Sequence, residues 1–274
     1  MGFRKVGAGR GAAWIIDGLA SLAPRPLPFI GVCLWLALLS VMPVVSLVTG
    51  LLLTFFYGGL VVSAQVQAQR GPVRLGLLFA AFVRPGALRR LLPAALLKLG
   101  FALLAVMVVV ATLGPEFFEA LRSTPTPEKL DPALAAAVAA KLPRLLLVLG
   151  PASVLVNWLL LFAVPRTMLD EVSGSVALRE AFSAVLANLG ALLINLACQV
   201  LLVLLFSGLL LVPLTLAGVL AAASPALGSL LQLLVFVSAV GLMFALDSLV
   251  MYQAWRDVFA VSEAPPAPVT EIEA

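Results

Sequence analysis

Histidine is missing from the chain, cysteine occurs only twice, and charge is scarce, with 17 basic and 13 acidic residues among 274. The absence of histidine removes the commonest metal ligand and the commonest general base near neutral pH. Cys33 and Cys198 lie inside apolar runs, away from any metal-ligand spacing and any solvated, reactive setting, and read as small core hydrophobes. No nucleophile, base or metal set converges in the sequence. No catalytic, cofactor-binding or metal-binding residue is therefore expected, and the chain reads as non-enzymatic.

The scarcity of charge excludes a soluble globule. Charged residues make up 11% of the chain against about 25% in an ordinary soluble domain. What is there instead is 63% hydrophobic residues and a mean hydropathy of +1.16. Residues 26–69 and 181–246 carry no charge at all. A membrane-crossing helix needs about 20 apolar residues, so each stretch holds at least two spans. The runs do not alternate in the way a membrane β-barrel requires. The expected fold class is an all-α integral membrane protein with six transmembrane helices. The first pair falls within 27–69, turning between Met42-Pro43 and Gly50. The third and fourth spans cover about 91–114 and 145–165, and the last pair falls within 188–255, turning near Ala223-Ser224-Pro225. Pro43, Pro151 and Pro213 lie near or inside spans, where a helix would kink or end.

Orientation follows from lysine and arginine in the short loops. With the N-terminus inside, every basic residue except Arg122, Lys129, Lys141 and Arg144 faces the cytoplasm, and both termini are expected there. Arg4, Lys5, Arg10, Asp17 and Arg25 precede an apolar run longer than a signal-peptide core, so no secretory leader is expected. The net charge of +4 resides beside the spans, which suits anionic head groups on the cytoplasmic side and no nucleic acid. One outer segment is large, the periplasmic stretch 115–143, read as a short helix, a Ser123-Thr124-Pro125-Thr126-Pro127 break and an Ala-rich helix from about 132 to 142. The single membrane domain is expected over 1–262, followed by a disordered cytoplasmic tail over 263–274.

An internal repeat organises these spans. Residues 71–81 and 174–184, offset by 103, share Gly, Val, Leu, Phe and Ala at five of eleven positions. After each glycine the apolar residues recur at helical spacing: Leu75, Leu78, Phe79 and Phe82, then Leu178, Ala181, Phe182 and Val185. Gly11, Ile15, Gly18, Leu19 and Leu22, with Trp14 as an anchor, form a weaker third copy. Each copy is expected to be an amphipathic elbow helix lying in the interface with its apolar face down. The chain thus reads as three elbow-helix plus two-span hairpin units, about 9–70, 71–173 and 174–262, in parallel orientation around the membrane normal.

The opening Lys5-Val6-Gly7-Ala8-Gly9-Arg10-Gly11-Ala12-Ala13-Trp14, followed by this plan, resembles the BPSS-type family of proteobacterial inner-membrane proteins. More distantly it is similar to YciC-like proteins and to the membrane domain attached to some glycerophosphodiester phosphodiesterases. The likeness runs over nearly the whole chain and is carried by glycines, small residues and aromatic anchors. It implies a fold and a bacterial inner-membrane location, and it transfers no catalytic residue.

Ionisable residues within a membrane cost about 2.5–3.5 kcal/mol at its centre and mark candidate sites. Lys98, about two turns into span three, and Asp247, in the inner half of span six, form the candidate intramembrane polar pair. Against this, Lys98 could snorkel to the interface and Asp247 bond to a neighbouring helix. Asn157, Asn188, Asn195, Gln199 and Gln232 read as interhelical packing glue, with Asn188, Asn195 and Gln199 on one stripe. Ala217-Gly218 and Ala221-Ala222 permit close helix approach. Asp170-Glu171 is read as no site. The expected role is an accessory or assembly subunit or membrane-organising scaffold, with a membrane-protein partner. The alternative is a small-molecule or lipid transporter with a path near Lys98 and Asp247. A transporter requires a polar cavity between the repeats lined by one of these residues, and a scaffold requires a dry interior.

Overall fold

A computed structural model of the chain describes residues 2–114, 117, 119 and 132–260. Among them every regular element is helical. In order these are α1 (Arg10–Leu22), α2 (Pro26–Val41), α3 (Pro43–Ala68), a 3₁₀ segment (Leu75–Phe79) running into the one-turn α4 (Ala80–Val83), and α5 (Ala87–Leu113). They continue with α6 (Pro132–Leu169), α7 (Gly174–Ala187), α8 (Leu189–Ala223) and α9 (Pro225–Val258). Five helical stretches, Val48–Ala68, Ala87–Leu113, Val138–Leu169, Leu189–Ala223 and Pro225–Val258, are long and apolar enough to cross a membrane alone. The pair α1 and α2, bent by 110° where they meet, brings the number to six if counted as one span.

Two of the hairpin turns are a single residue long. Met42 and Ser224 are extended, each precedes a proline, and each proline begins the next helix. A residue before proline is driven out of the helical region, and proline at the first helical position loses no hydrogen bond. Local chemistry thus sets the turn at the first and last residue pairs where the sequence reading allowed it. The hairpin α2/α3 is closed at its other end by Gln67, whose Nε2 donates to the carbonyls of Ser21 and Arg25. Pro93, Pro143, Pro151, Pro165 and Pro213 all lie inside continuous helices. The expected Ala-rich helix is one piece with the fourth span, because Pro143 does not interrupt α6. The Ser123–Pro127 break and the 263–274 tail lie outside the described residues.

Packing is concentrated at the end of the bundle that carries the short helices. One core contains Trp14, Phe29, Leu60, Leu91, Phe162, Met168, Leu192 and Leu249, all buried, and joins the three hairpins. Helix α1 crosses this end. Its Gly11 lies on the backbone of Ala191 in α8, and Gly18 rests on Leu249 in α9. A Cβ at Gly11 would overlap the Ala191 carbonyl, and one at Gly174 would overlap the Arg90 carbonyl at the start of α5. Both are glycines that the sequence reading aligned at the head of its expected repeat, and each is required by a helix-to-backbone contact. Toward the other end packing stops. No residue from 99 to 113 is buried, and from 200 to 220 only Ala217 is. There each helix is covered mainly by its hairpin partner, as where Gly228 meets Ala221 across the last turn.

The elbows differ from the expected picture in two ways. The middle one is a 3₁₀ segment and one α-turn, ended by Arg84-Pro85-Gly86, and not a continuous helix. The apolar face is also shared between protein and surroundings. Ile15, Leu78, Ala181 and Val185 are buried in the bundle, whereas Leu19, Phe79 and Phe182 are exposed. The reason is that α7 packs through Gly174, Ala177, Ala181 and Ala184, a small-residue face that sits close against its neighbours and leaves the larger side chains outside.

Candidate functional site

The polar side chains fall into two arrangements, a pair of ion networks at the packed end and a cavity deeper in. In the first network Asp257 Oδ2 accepts from Arg10 Nε at 2.6 Å and from Trp14 Nε1 at 2.9 Å. Arg10 also pairs with Asp17 at 3.1 Å. In the second, Arg166 Nε and Nη2 both donate to Glu180 Oε2, at 3.0 and 2.6 Å, and Nη1 donates to Asp170 Oδ2 at 2.7 Å. Trp255 Nε1 donates to the same Asp170 oxygen at 2.6 Å, and the guanidinium stacks over Phe259. Each network is an arginine and a tryptophan converging on a carboxylate at the end of a long helix, a forked geometry that lysine does not supply. Asp170, read from the sequence as part of no site, is thus a structural anchor. Asn188 is another: its Oδ1 accepts from the Val6 amide at 2.7 Å, tying the N-terminal strand of chain to the start of α8.

The cavity, of about 290 Å³, lies between the hairpins. Its polar lining comes from Thr54 and Tyr57 on α3, Lys98 on α5, Asn157 and Trp158 on α6, Asn195 and Gln199 on α8, and Asp247 on α9. All three hairpins contribute. Tyr57, Lys98 and Asp247 each lie 11 residues from the packed end of their helix, which is about 16 Å at 1.5 Å per residue. The structure therefore brings Lys98 and Asp247 to one site, but not into contact. The Tyr57 hydroxyl donates to Asp247 Oδ2 at 3.0 Å, and Lys98 Nζ sits 5.3 Å from the centre of the Tyr57 ring. No hydrogen bond or ion pair to Lys98 exists among the described residues. Asn195 is 2% exposed, and its Oδ1 is a buried atom without a hydrogen-bond partner. Helices α6 and α8, which both line the cavity, make no extensive contact with each other, and Asn157 on α6 is exposed.

Asn157, Asn195 and Gln199 were expected as packing glue, yet they line a space, and among the described residues none of them makes a hydrogen bond to another helix. Helical spacing identified the stripe on α8 but not what stands opposite it. Tyr57, Trp158 and Thr54 were not anticipated. The available signal was that Tyr57, one of two tyrosines in the chain, stands 12 residues inside an uncharged run, where a phenol needs a buried partner. Gln232 and the Ala217-Gly218 pair lie on the outer halves, away from the cavity, and Cys33 is buried as expected. Comparison of the chain with protein-family models, with curated proteins and with solved structures finds no match to any of them.

Proposed function

We propose that this chain is a six-span protein of a bacterial inner membrane that carries a small polar molecule or a lipid head group through the cavity at Lys98 and Asp247. The observation that carries the reading is the convergence of polar side chains from five long helices on one space at membrane depth. Keeping two ionisable groups there costs several kcal/mol, and a passive scaffold gains nothing from that cost. The sparse packing between α6 and α8 would give a ligand a lateral way in from the bilayer.

The architecture proposed with it is three parallel elbow-and-hairpin units. The support is the order of the elements, a short helical segment before each hairpin, and the matching seats of Gly11 and Gly174, each pressed on the backbone that begins the neighbouring unit's hairpin. Both termini then face the cytoplasm, because the packed end holds most of the arginine. Arg25, Arg70, Arg74 and Arg89 are exposed there, free to meet anionic head groups.

An accessory-subunit or scaffold role is the second reading. It is favoured by the apolar outer halves of α5 and α8, which leave Leu103, Met107, Leu204 and Leu211 uncovered for a membrane-protein partner. Reconstitution separates the two. In vesicles of fluorescent lipid with outside-only chemical quenching, a translocase exposes inner-leaflet lipid at least tenfold faster than empty vesicles. Filling the cavity with Gln199→Phe returns the rate to background. A scaffold leaves wild type and empty vesicles alike.

A further inference from the structure

We infer that the cavity recognises a zwitterion of the phosphoethanolamine type, holding its phosphate on Lys98 and its ammonium on Asp247. This deepens the binding reading above and rests on it. Lys98 and Asp247 share the cavity without touching. Were their only task to neutralise each other, contact would be the cheapest arrangement in a membrane, since a desolvated charge is costly unless paired directly. Instead the Tyr57 phenol stands between them, bonded to Asp247 through its hydroxyl and facing Lys98 with its ring. That holds the charges apart with the cavity alongside both.

A single ion fits such a site badly. A lone cation would meet Lys98, and a lone anion would meet Asp247. A molecule carrying both signs satisfies each wall. The neutral lining can serve both ends of such a molecule. Asn157, Gln199 and Trp158 carry N–H donors that suit phosphate oxygens, and an ammonium has three N–H donors to place. Asp247 accepts one, and the partnerless Oδ1 of the buried Asn195 is an acceptor without a donor. Size sets the remainder. A space of about 290 Å³ admits a head group and excludes two acyl chains. The gap between α6 and α8 would let such chains stay in the bilayer. A diacyl phosphoethanolamine and free O-phosphoethanolamine present the same chemistry, so the two sources are told apart by experiment.

The full chain is reconstituted into nanodiscs of equal phosphatidylethanolamine and phosphatidylglycerol, then released and weighed by native mass spectrometry. The expected result is one phosphatidylethanolamine retained per chain, at least tenfold over phosphatidylglycerol. Asp247→Asn should abolish the preference for the amine lipid. Lys98→Met should lower retention of both lipids, and Lys98→Arg should restore it. Millimolar O-phosphoethanolamine added to wild type competes the lipid off if the head group alone is recognised. Failure of competition with lipid retention intact assigns the ligand to the lipid source. The competition uses the unaltered protein, so it stands even where a variant does not fold. Equal retention of both lipids, unchanged by Asp247→Asn, overturns the zwitterion while leaving a lipid-binding cavity. Retention of neither lipid, with no binding of O-phosphoethanolamine, overturns the binding reading itself.

Discussion

The two ends of this helical bundle are built on different principles. At the end bearing the elbows, helices are fixed by backbone contacts at Gly11 and Gly174 and by arginine forks onto Asp257, Asp170 and Glu180. At the other end the same helices present leucine and valine outward and share almost nothing beyond their own hairpin partner. The first is specified residue by residue, while the second is specified by apolarity alone and takes the bilayer as its packing partner. The cavity lies where one regime gives way to the other. A polar space there is framed by fixed helix contacts on one side and by sparsely packed apolar helices on the other.

The sharpest way to break the comparison is to place the same change at both ends. Gly11→Val drives a side chain into the Ala191 carbonyl and should cost upward of 3 kcal/mol, the high end for overpacking. It would be read as loss of monodisperse protein on size exclusion. Gly218→Val, with nothing within 4 Å of its new Cβ, should leave yield and melting temperature unchanged. Equal damage from both would show that the outer end is packed after all.

Arg166→Ala comes next. Its side chain is 8% exposed and holds two carboxylates, so removal leaves them facing each other at about 2–4 kcal/mol, somewhat below a fully buried pair because Asp170 is partly open. Asp17→Asn at the exposed rim should cost under about 1 kcal/mol. Thermal unfolding in one detergent ranks the two. Phe182→Glu tests the elbow's outward face. The ring is 48% exposed in the protein, and losing its contact with lipid should cost about 2 kcal/mol, seen as reduced accumulation in the membrane with little change in detergent. The smallest effect is Tyr57→Phe, which deletes one hydrogen bond to Asp247. Such bonds average about 0.6 kcal/mol in membranes. Stability should barely move, and ligand retention should fall, because the phenol no longer fixes the carboxylate. The double swap Lys98→Asp with Asp247→Lys should not restore what the single changes lose, since the two groups are not in contact.

The two regimes also explain what could be read in advance. Hairpins and their turns were legible because length without charge, and proline after a flexible residue, act locally at Met42-Pro43 and Ser224-Pro225. Gly11 and Gly174 stood out in the sequence as aligned glycines, and only the fold shows that they are carbonyl seats. Lys98 and Asp247 stood out because a membrane makes any charge conspicuous. The rest of the site was hidden by its ordinariness. Asn195 and Gln199 on a helix stripe look the same whether a helix or a space lies opposite, and Tyr57 hides among aromatics. The Arg166 fork depends on Glu180 arriving from another helix, a meeting that neither residue's neighbours announce.

The first hairpin turns after the 16 residues of α2, about 24 Å of helix, and the third after the 35 residues of α8, about 52 Å. A hydrocarbon core is about 30 Å thick. Within the first hairpin α2 falls short of that thickness, whereas its partner, the 26-residue α3, exceeds it, and α8 exceeds it further, so the long helices would have to lean or the bilayer thicken around them. The bundle would then meet the bilayer with unequal apolar lengths around its circumference. The largest mismatch would border the third hairpin, whose α8 lines the cavity. Chain order and leaflet spacing would then be disturbed beside that wall of the site.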